Sequence, residues 1–285
     1  MQLNFANNLI KTNGYSKNLE VYAPIDMIGS IFKFLIIPKE TDRAPFQSLI
    51  NQILIFAVEF LDISRYSDDL CEKICRLLRY IIKFMGPSYC LRREISKKAI
   101  EWFIVSGRSS FMYLMCTIVD LYSKDIVNQE WILHDFLLFG QPAILSLNQD
   151  IASPEFPYLL EDYIRLCIKI YQFVPVSFLS SEICKPVILT TIKGLLCENK
   201  KSFNACSSFL SMIFKEKFYE RDIDRLVVKD SVATIFIEFS HVIIKYCLQN
   251  IFSHKSLFII ELSGELLVVL LKYNQVILSP IHLHN

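Results

Sequence analysis

The chain has 285 residues, of which 53% are hydrophobic and only 7 are glycine, and its formal net charge is +1. An α/β enzyme uses glycine in tight turns and where the backbone approaches a cofactor phosphate, so this glycine content argues against that class, and no GxGxxG or GxxxxGK[ST] pattern occurs. The small net charge provides no overall field that would draw the chain to nucleic acid or to a membrane surface.

Amphipathic stretches of helical length recur along the chain, each opened by Pro, Ser, Thr or Asp. Residues 1–23 precede them without a sustained hydrophobic period, and we expect these residues to form a poorly structured lead-in. The first stretch, after Pro24, predicts a leading helix at 26–37. The later stretches predict helices at about 45–63, 67–85, 88–105, 108–123, 131–147, 156–173, 177–197, 202–217, 226–250 and 256–274.

Paired in order, the ten later helices form five hairpins, near 45–85, 88–123, 131–173, 177–217 and 226–274. Successive hairpins start 43 to 49 residues apart, close to the period of about 40–47 residues in HEAT and armadillo units. Each helix is apolar over much of its circumference, so its hairpin partner and the next repeat must both cover it. The sequence therefore predicts an all-α fold, a single α-solenoid of HEAT-like antiparallel hairpins over residues 24–285, with about five pairs plus a leading helix.

The pattern contains no motif for catalysis or for binding a metal or a cofactor. Nine cysteines are scattered without a CxxC pair, which is typical of reduced core thiols, and we interpret Cys71 and Cys75 on one helical face as structural. Five histidines form no HExxH motif, and His282-x-His284 fits a frayed tail better than a metal site. We expect neither an enzyme nor a bound cofactor or metal.

Membrane insertion is not expected. The charge-free stretch of residues 136–149 has only 14 residues and contains Gly140 and Pro142, whereas a spanning helix needs about 18 apolar residues. The stretch from Glu265 to the C-terminus stays apolar without a polar cap, so we expect the chain to be part of a longer stack.

One patterned surface lies on the predicted helix 67–85. Its cations follow one another at steps of three or four residues and lie within an arc of about 120°; this basic stripe consists of Lys73, Arg76, Arg79 and Lys83. Apolar residues such as Ile74 and Leu78 take the opposite side. We expect the four like charges to lack acidic partners one turn away and to repel one another by a few tenths of a kcal/mol per pair, which favours an acidic or phosphorylated ligand. The alternative is an ordinary solvated face.

Three segments resemble the C-terminal half of transportin-SR-type receptors in the importin-β, or karyopherin-β, superfamily. They are CEKICRLLRYIIKFMG (71–86), RSSFMYLMCTIVDLY (108–122) and YIRLCIKIYQFVPVSFLSSEICKPVILTTIKGLL (163–196). Their order and spacing also agree, and a fainter likeness extends over about 28–274. The resemblance implies a nuclear transport receptor of cytoplasm and nucleus that carries protein cargo through pores under the control of the GTPase Ran, with nucleoporins as further partners.

The resemblance also implies a role for the basic stripe. In that subfamily an arginine-rich helix, which corresponds to residues 71–86, holds arginine–serine-rich and often phosphorylated cargo on the concave face. This assigns cargo binding to Lys73, Arg76, Arg79 and Lys83, although two of them are lysines, which lack the planar guanidinium. The family's Ran-binding arch has no counterpart here, so Ran would act only through a missing N-terminal half. The alternative function is a generic HEAT-repeat scaffold in a stable complex.

Overall fold

The structure is a computed structural model that describes residues 19–35, 45–63, 68–86, 91–149, 156–215, 222–253 and 256–278. All regular elements within these ranges are helices, which confirms the predicted all-α class. The chain divides into two compact units, Met1–Asn128 and Gln129–Asn285. Each unit is a stack of helical hairpins, as expected for a solenoid of repeats.

The first unit contains a leading helix and two hairpins. The leading helix is α1 (Leu19–Phe34); the hairpins are α2 (Gln47–Ile63) with α3 (Asp68–Met85), and α4 (Arg92–Ser106) with α5 (Ser109–Tyr122). Helices α4 and α5 are antiparallel, because Ser96 Oγ lies 3.4 Å from Met115 Sδ at one end and the rings of Trp102 and Phe111 lie 5.9 Å apart at the other.

Helix α1 begins earlier than the sequence predicts. The predicted start at residue 26 is wrong, since residues 19–23 of the expected lead-in are already helical and Pro24 lies inside α1. A proline beyond the first turn removes one backbone hydrogen bond and crowds the carbonyl four residues earlier, but α1 continues through Pro24, so this proline marks no boundary. Residues 1–18 of the expected lead-in and 36–37 of the predicted helix lie outside the described residues.

The helices α1, α3 and α5 pack side by side and run parallel. Between α1 and α3, Asp26 pairs with Lys73 and the ring of Phe32 lies 5.2 Å from that of Phe84. In each contact the two residues are about fifty positions apart in the chain. The contact that is earlier along α1 is also earlier along α3, so the two helices run in the same direction. Such parallel packing of like helices from successive hairpins is the pattern of a solenoid.

The same relation holds between α3 and α5. Cys71 Sγ lies 3.3 Å from Ser110 Oγ, and the Nε of Arg79 donates a hydrogen bond of 2.9 Å to Thr117 Oγ1. The two contacts are separated by 39 and 38 positions in the chain. A residue of α3 therefore faces the α5 residue that lies about one repeat later in the sequence.

Seven of the described helices belong mainly to the second unit, and the first of them begins three residues before the division. They are α6 (Ile126–Gln149), α7 (Phe156–Phe173), α8 (Pro175–Leu179), α9 (Cys184–Gly194), α10 (Lys200–Phe214), α11 (Asp222–Phe252) and α12 (Leu257–Leu278). Like helices are again parallel, since Ser202 Oγ donates to the Pro157 carbonyl at 2.7 Å and the rings of Phe209 and Tyr171 lie 6.3 Å apart.

The single helix predicted at 177–197 is wrong, because the structure has two helices there. α8 ends at Leu179, and a turn over residues 180–183 precedes α9. Pro186, the third residue of α9, has no N–H to bond the carbonyl of Glu182, so a continuous helix would lose that bond. Ser181 instead closes α8 by donating from its N–H and its hydroxyl to the Phe178 carbonyl, at 3.1 and 2.5 Å.

Aromatic rings fill the core of the second unit. Phe136, Tyr163, Tyr171, Phe178 and Phe209 form one cluster from α6, α7, α8 and α10, with ring centroids 6.1 to 6.5 Å apart. All five side chains are almost completely buried. Burial of such large rings supplies much of the hydrophobic stabilisation of a helical stack.

By length and composition alone, one described helix could cross a membrane, namely Leu226–Phe252 within α11. Charged residues such as Glu238 interrupt this segment, so the criterion of charge-free stretches does not detect it. Within its unit this helix makes two polar contacts. Glu238 lies 2.5 Å from Nζ of Lys185 on α9, and Asn250 Nδ2 donates a hydrogen bond of 2.9 Å to the carbonyl of Leu195, directly after α9.

Candidate functional site

Helix α3 carries the basic stripe and separates its charged and apolar residues as predicted. Asp68 and Asp69 lie in its first turn and Lys83 in its last, so both ends complement the helix dipole. Its apolar side is buried against α1, α2 and α5; the buried residues are Leu70, Cys71, Ile74, Cys75, Leu77, Leu78, Ile81, Ile82, Phe84 and Met85. The burial of this side fixes which way the four cations point.

Lys73 links α3 to α1. Its ammonium forms an ion pair with the carboxylate of Asp26 and lies 5.3 Å from the ring centroid of Tyr22. The side chain is only 22% exposed. Lys73 therefore already has an acidic partner, which comes from the leading helix α1.

Arg76 is paired within its own helix. Its guanidinium contacts the carboxylate of Glu72, one turn earlier, and both side chains are exposed. The expectation that the stripe lacks acidic partners one turn away is thus wrong for Arg76, whereas Lys73 has its partner on another helix. Residues four apart on a helix are neighbours, so Glu72 was visible in the sequence, whereas Asp26 is brought in by the stacking of α1 on α3.

Arg79 is held by the second helix of the next hairpin. Its Nε donates to Thr117 Oγ1 at 2.9 Å, and the guanidinium carbon lies 3.5 Å from the ring centroid of Tyr113. Thr117 is almost fully buried, whereas Tyr113 is partly exposed. In the part of the chain that the structure describes, the two Nη groups of Arg79 have no hydrogen-bond partner.

Lys83 is exposed, and no carboxylate among the described residues lies within ion-pair distance of it. The stripe therefore has two halves. In the first half, Asp26 and Glu72 neutralise Lys73 and Arg76; in the second, the charges of Arg79 and Lys83 remain available to a ligand.

Sequence reasoning missed the residues that neighbouring helices contribute to the stripe: Asp26, Tyr113 and Thr117. Arg108, at the start of α5, also pairs with Asp68 at the start of α3. The constant offset of about 38 residues between α3 and α5 would have identified the α5 contacts, but that offset becomes visible only when the helices are stacked.

The cysteines of α3 lie on its buried side. The side-chain hydrogen bond from Cys75 lowers the pKa of the Cys71 thiol, whereas burial raises the pKa of the Cys75 thiol well above its ordinary value. Among the residues that the structure describes, no group of three or more His, Cys, Asp or Glu side chains could hold a metal ion. His282 and His284 lie outside the described residues.

Residues 44–147 match the model of the Transportin-3/Importin-13 fourth TPR domain. The match includes α2 to α5 and most of α6, and so the whole basic stripe. Two of the three segments that carry the resemblance, 71–86 and 108–122, lie inside it. The resemblance to transportin-like receptors of the karyopherin-β family is thereby confirmed for the part of the chain that carries the stripe.

Proposed function

With a transportin-3/importin-13-type domain at residues 44–147 as the premise, we propose that this chain acts as a nuclear transport receptor segment that binds protein cargo and moves between cytoplasm and nucleus. Its ligand at the basic stripe is an arginine–serine-rich or acidic segment of the cargo, in its phosphorylated form where it has one. Ran and nucleoporins are the further partners that the family resemblance adds.

One observation carries the proposal: inside the matched residues, Arg79 and Lys83 offer two cations that no described carboxylate neutralises. A phosphoserine carries a charge of about −1.5 to −2 and three acceptor oxygens, so it can contact more than one of them. The pair between Arg76 and Glu72 is exposed, and such pairs contribute only about 0.3–0.5 kcal/mol. Arg76 can therefore exchange Glu72 for a phosphate at little cost.

The test is fluorescence anisotropy with an arginine–serine peptide in phosphorylated and unphosphorylated forms, at low and high salt. The variant is Arg76→Glu/Arg79→Glu. The matched control is Arg165→Glu on α7, because Arg165 is also exposed and pairs with a glutamate one turn earlier, Glu161. Thermal unfolding of each protein verifies that it is folded.

We expect the wild type and the Arg165→Glu control to bind the phosphorylated peptide, with an affinity that falls as salt rises. The double variant should lose this binding. Equal binding by the double variant and the wild type would refute the assignment of the stripe.

Apolar side chains exposed on the second unit favour a second function, that of a generic HEAT-repeat scaffold in a stable complex. Ile237 on α11 is 73% exposed, and Leu257 and Leu271 on α12 are also exposed. Binding through such side chains persists at high salt, unlike binding through the stripe. A monodisperse monomer in light scattering that binds only salt-sensitive ligands would argue against the scaffold.

A further inference from the structure

Arg79 differs from the other three cations of the stripe because a neighbouring hairpin fixes its side chain. The hydrogen bond from Nε to Thr117 and the contact with the ring of Tyr113 act on the same guanidinium, at 2.9 and 3.5 Å. Together they determine both the position and the plane of the group. Lys73 and Arg76 are instead bound to carboxylates, and Lys83 has no described partner.

From this geometry we infer that Tyr113 and Thr117 are positioning residues of the proposed anion site. Arg79 is its fixed planar donor and Lys83 its second charge. The inference rests on the proposed function and extends it: the site belongs to α3 and α5 together, not to α3 alone.

The donors that remain favour the phosphorylated form of the ligand that the proposed function names. With Nε engaged by Thr117, Arg79 presents the edge formed by its two Nη groups, whose parallel N–H bonds match two oxygens of one anion. Lys83 lies one turn further along α3 and Arg76 one turn back, so a third oxygen and a second negative charge would be stabilised too. A carboxylate has only two oxygens and one charge, and so uses the site incompletely.

Positioning improves binding because a free arginine loses rotamer freedom when it binds, whereas a fixed one has already lost it. A guanidinium stacked on a tyrosine also stays charged and keeps its polar edge toward solvent. Loss of the ring should thus weaken binding even though Tyr113 itself touches no phosphate.

The experiment is a double-mutant cycle with Tyr113→Leu and Arg79→Lys, which measures the affinity for the phosphorylated arginine–serine peptide. Leucine keeps helix propensity and apolar bulk at a position that is 45% exposed, so the fold should be preserved. Tyr158→Leu, at another exposed tyrosine on α7, is the matched control. Thr117→Val removes the acceptor for Nε, together with the bond of 3.4 Å that the hydroxyl donates to the Tyr113 carbonyl, and gives an independent measurement. A peptide with glutamate in place of each phosphoserine tests the choice of ligand.

In the wild-type background, Tyr113→Leu should weaken phosphopeptide binding by about five- to tenfold, and Thr117→Val by about threefold. In the Arg79→Lys background, Tyr113→Leu should change it less than about twofold, because no planar group remains to be positioned. The glutamate peptide should bind wild type at least about tenfold more weakly than the phosphopeptide.

Equal losses from Tyr113→Leu in both backgrounds would overturn the positioning role, as would unchanged binding by Tyr113→Leu and Thr117→Val. Equal affinities for the two peptides would overturn the phosphate assignment. In all these cases wild type still binds and Arg76→Glu/Arg79→Glu does not, so the proposed function stands. If folded wild type binds neither peptide, the proposed function fails and this inference fails with it.

Discussion

The guanidinium of Arg79 lies 3.5 Å from the ring centroid of Tyr113, a residue of the next hairpin. This contact makes the basic stripe a property of two stacked helices. It also means that the four cations are not equivalent, because each has a different neighbour: a carboxylate of α1, a carboxylate of α3, a ring of α5, or solvent.

Glu72→Gln should strengthen binding of the phosphorylated peptide by about two- to fivefold at low salt, because it frees Arg76 and removes one negative charge. The gain should shrink as salt rises. Fluorescence anisotropy measures both. Glu161→Gln, which breaks the equivalent pair with Arg165 on α7, should leave the affinity unchanged. Weaker binding by Glu72→Gln would show that Glu72 supports the site instead of competing for it.

Gly194→Ala should lower the free energy of unfolding by about 1–2 kcal/mol, because overpacking outweighs the gain in helix propensity. A Cβ at this position would lie 2.4 Å from Cys206 Sγ and 3.1 Å from Leu160 Cδ2. Gly264→Ala in α12 is the control, since a Cβ there meets no atom within 4 Å. We expect it to stabilise the protein by up to about 1 kcal/mol. Urea unfolding measures both, and equal effects would contradict the packing argument.

Stability should fall above about pH 9, because several thiols of the second unit are buried. Burial raises the pKa of Cys184 to about 11 and of Cys247 to about 12, from an ordinary 9.0, and also raises that of Cys206. At a pH between the ordinary pKa and the raised pKa of a thiol, the unfolded chain releases the proton and the folded chain retains it. Rising pH therefore favours unfolding. Each thiol contributes a loss of up to about 1.4 kcal/mol per pH unit.

The measurement is denaturant unfolding at pH 8, 9 and 10 under reducing conditions. From pH 8 to pH 10, the free energy of unfolding of Cys247→Ala should fall by about 1 kcal/mol less than that of the wild type. This difference does not depend on how stable the variant is at pH 8. Cys197→Ala, at the partly exposed thiol, is the comparison. A pH dependence identical in wild type and Cys247→Ala would contradict the assignment to this thiol.

The helices were largely predictable because their hydrophobic period extends over many residues. The period predicts α3 almost to the residue, since Asp68 and Asp69 mark its start and Gly86 its end. The period fails where a local hydrogen bond ends a helix, as at Ser181, where the chain turns between α8 and α9. It also fails at Pro24, which predicts a helix boundary although α1 continues through it.

The basic stripe was predictable in its residues but not in its contacts. The spacing of Lys73, Arg76, Arg79 and Lys83 along one helix is local information. The partners Asp26 and Thr117 are 47 and 38 residues from the cations they contact, on helices whose register depends on packing. Only the pair with Glu72 could have been deduced from the sequence, because it lies within one turn.

The parallel stacking of like helices has a consequence for folding kinetics. Within each unit, neighbouring second helices are joined by hydrogen bonds at sequence separations from 38 (Arg79 to Thr117) to 55 (Ser207 to Leu262). Loop-closure entropy grows only with the logarithm of loop length, so the two extremes differ by about 0.3 kcal/mol. No docking step of one hairpin on the next is therefore favoured by chain topology. The order in which hairpins assemble should follow their individual stabilities, and substitutions that weaken one hairpin should move the site of nucleation to another.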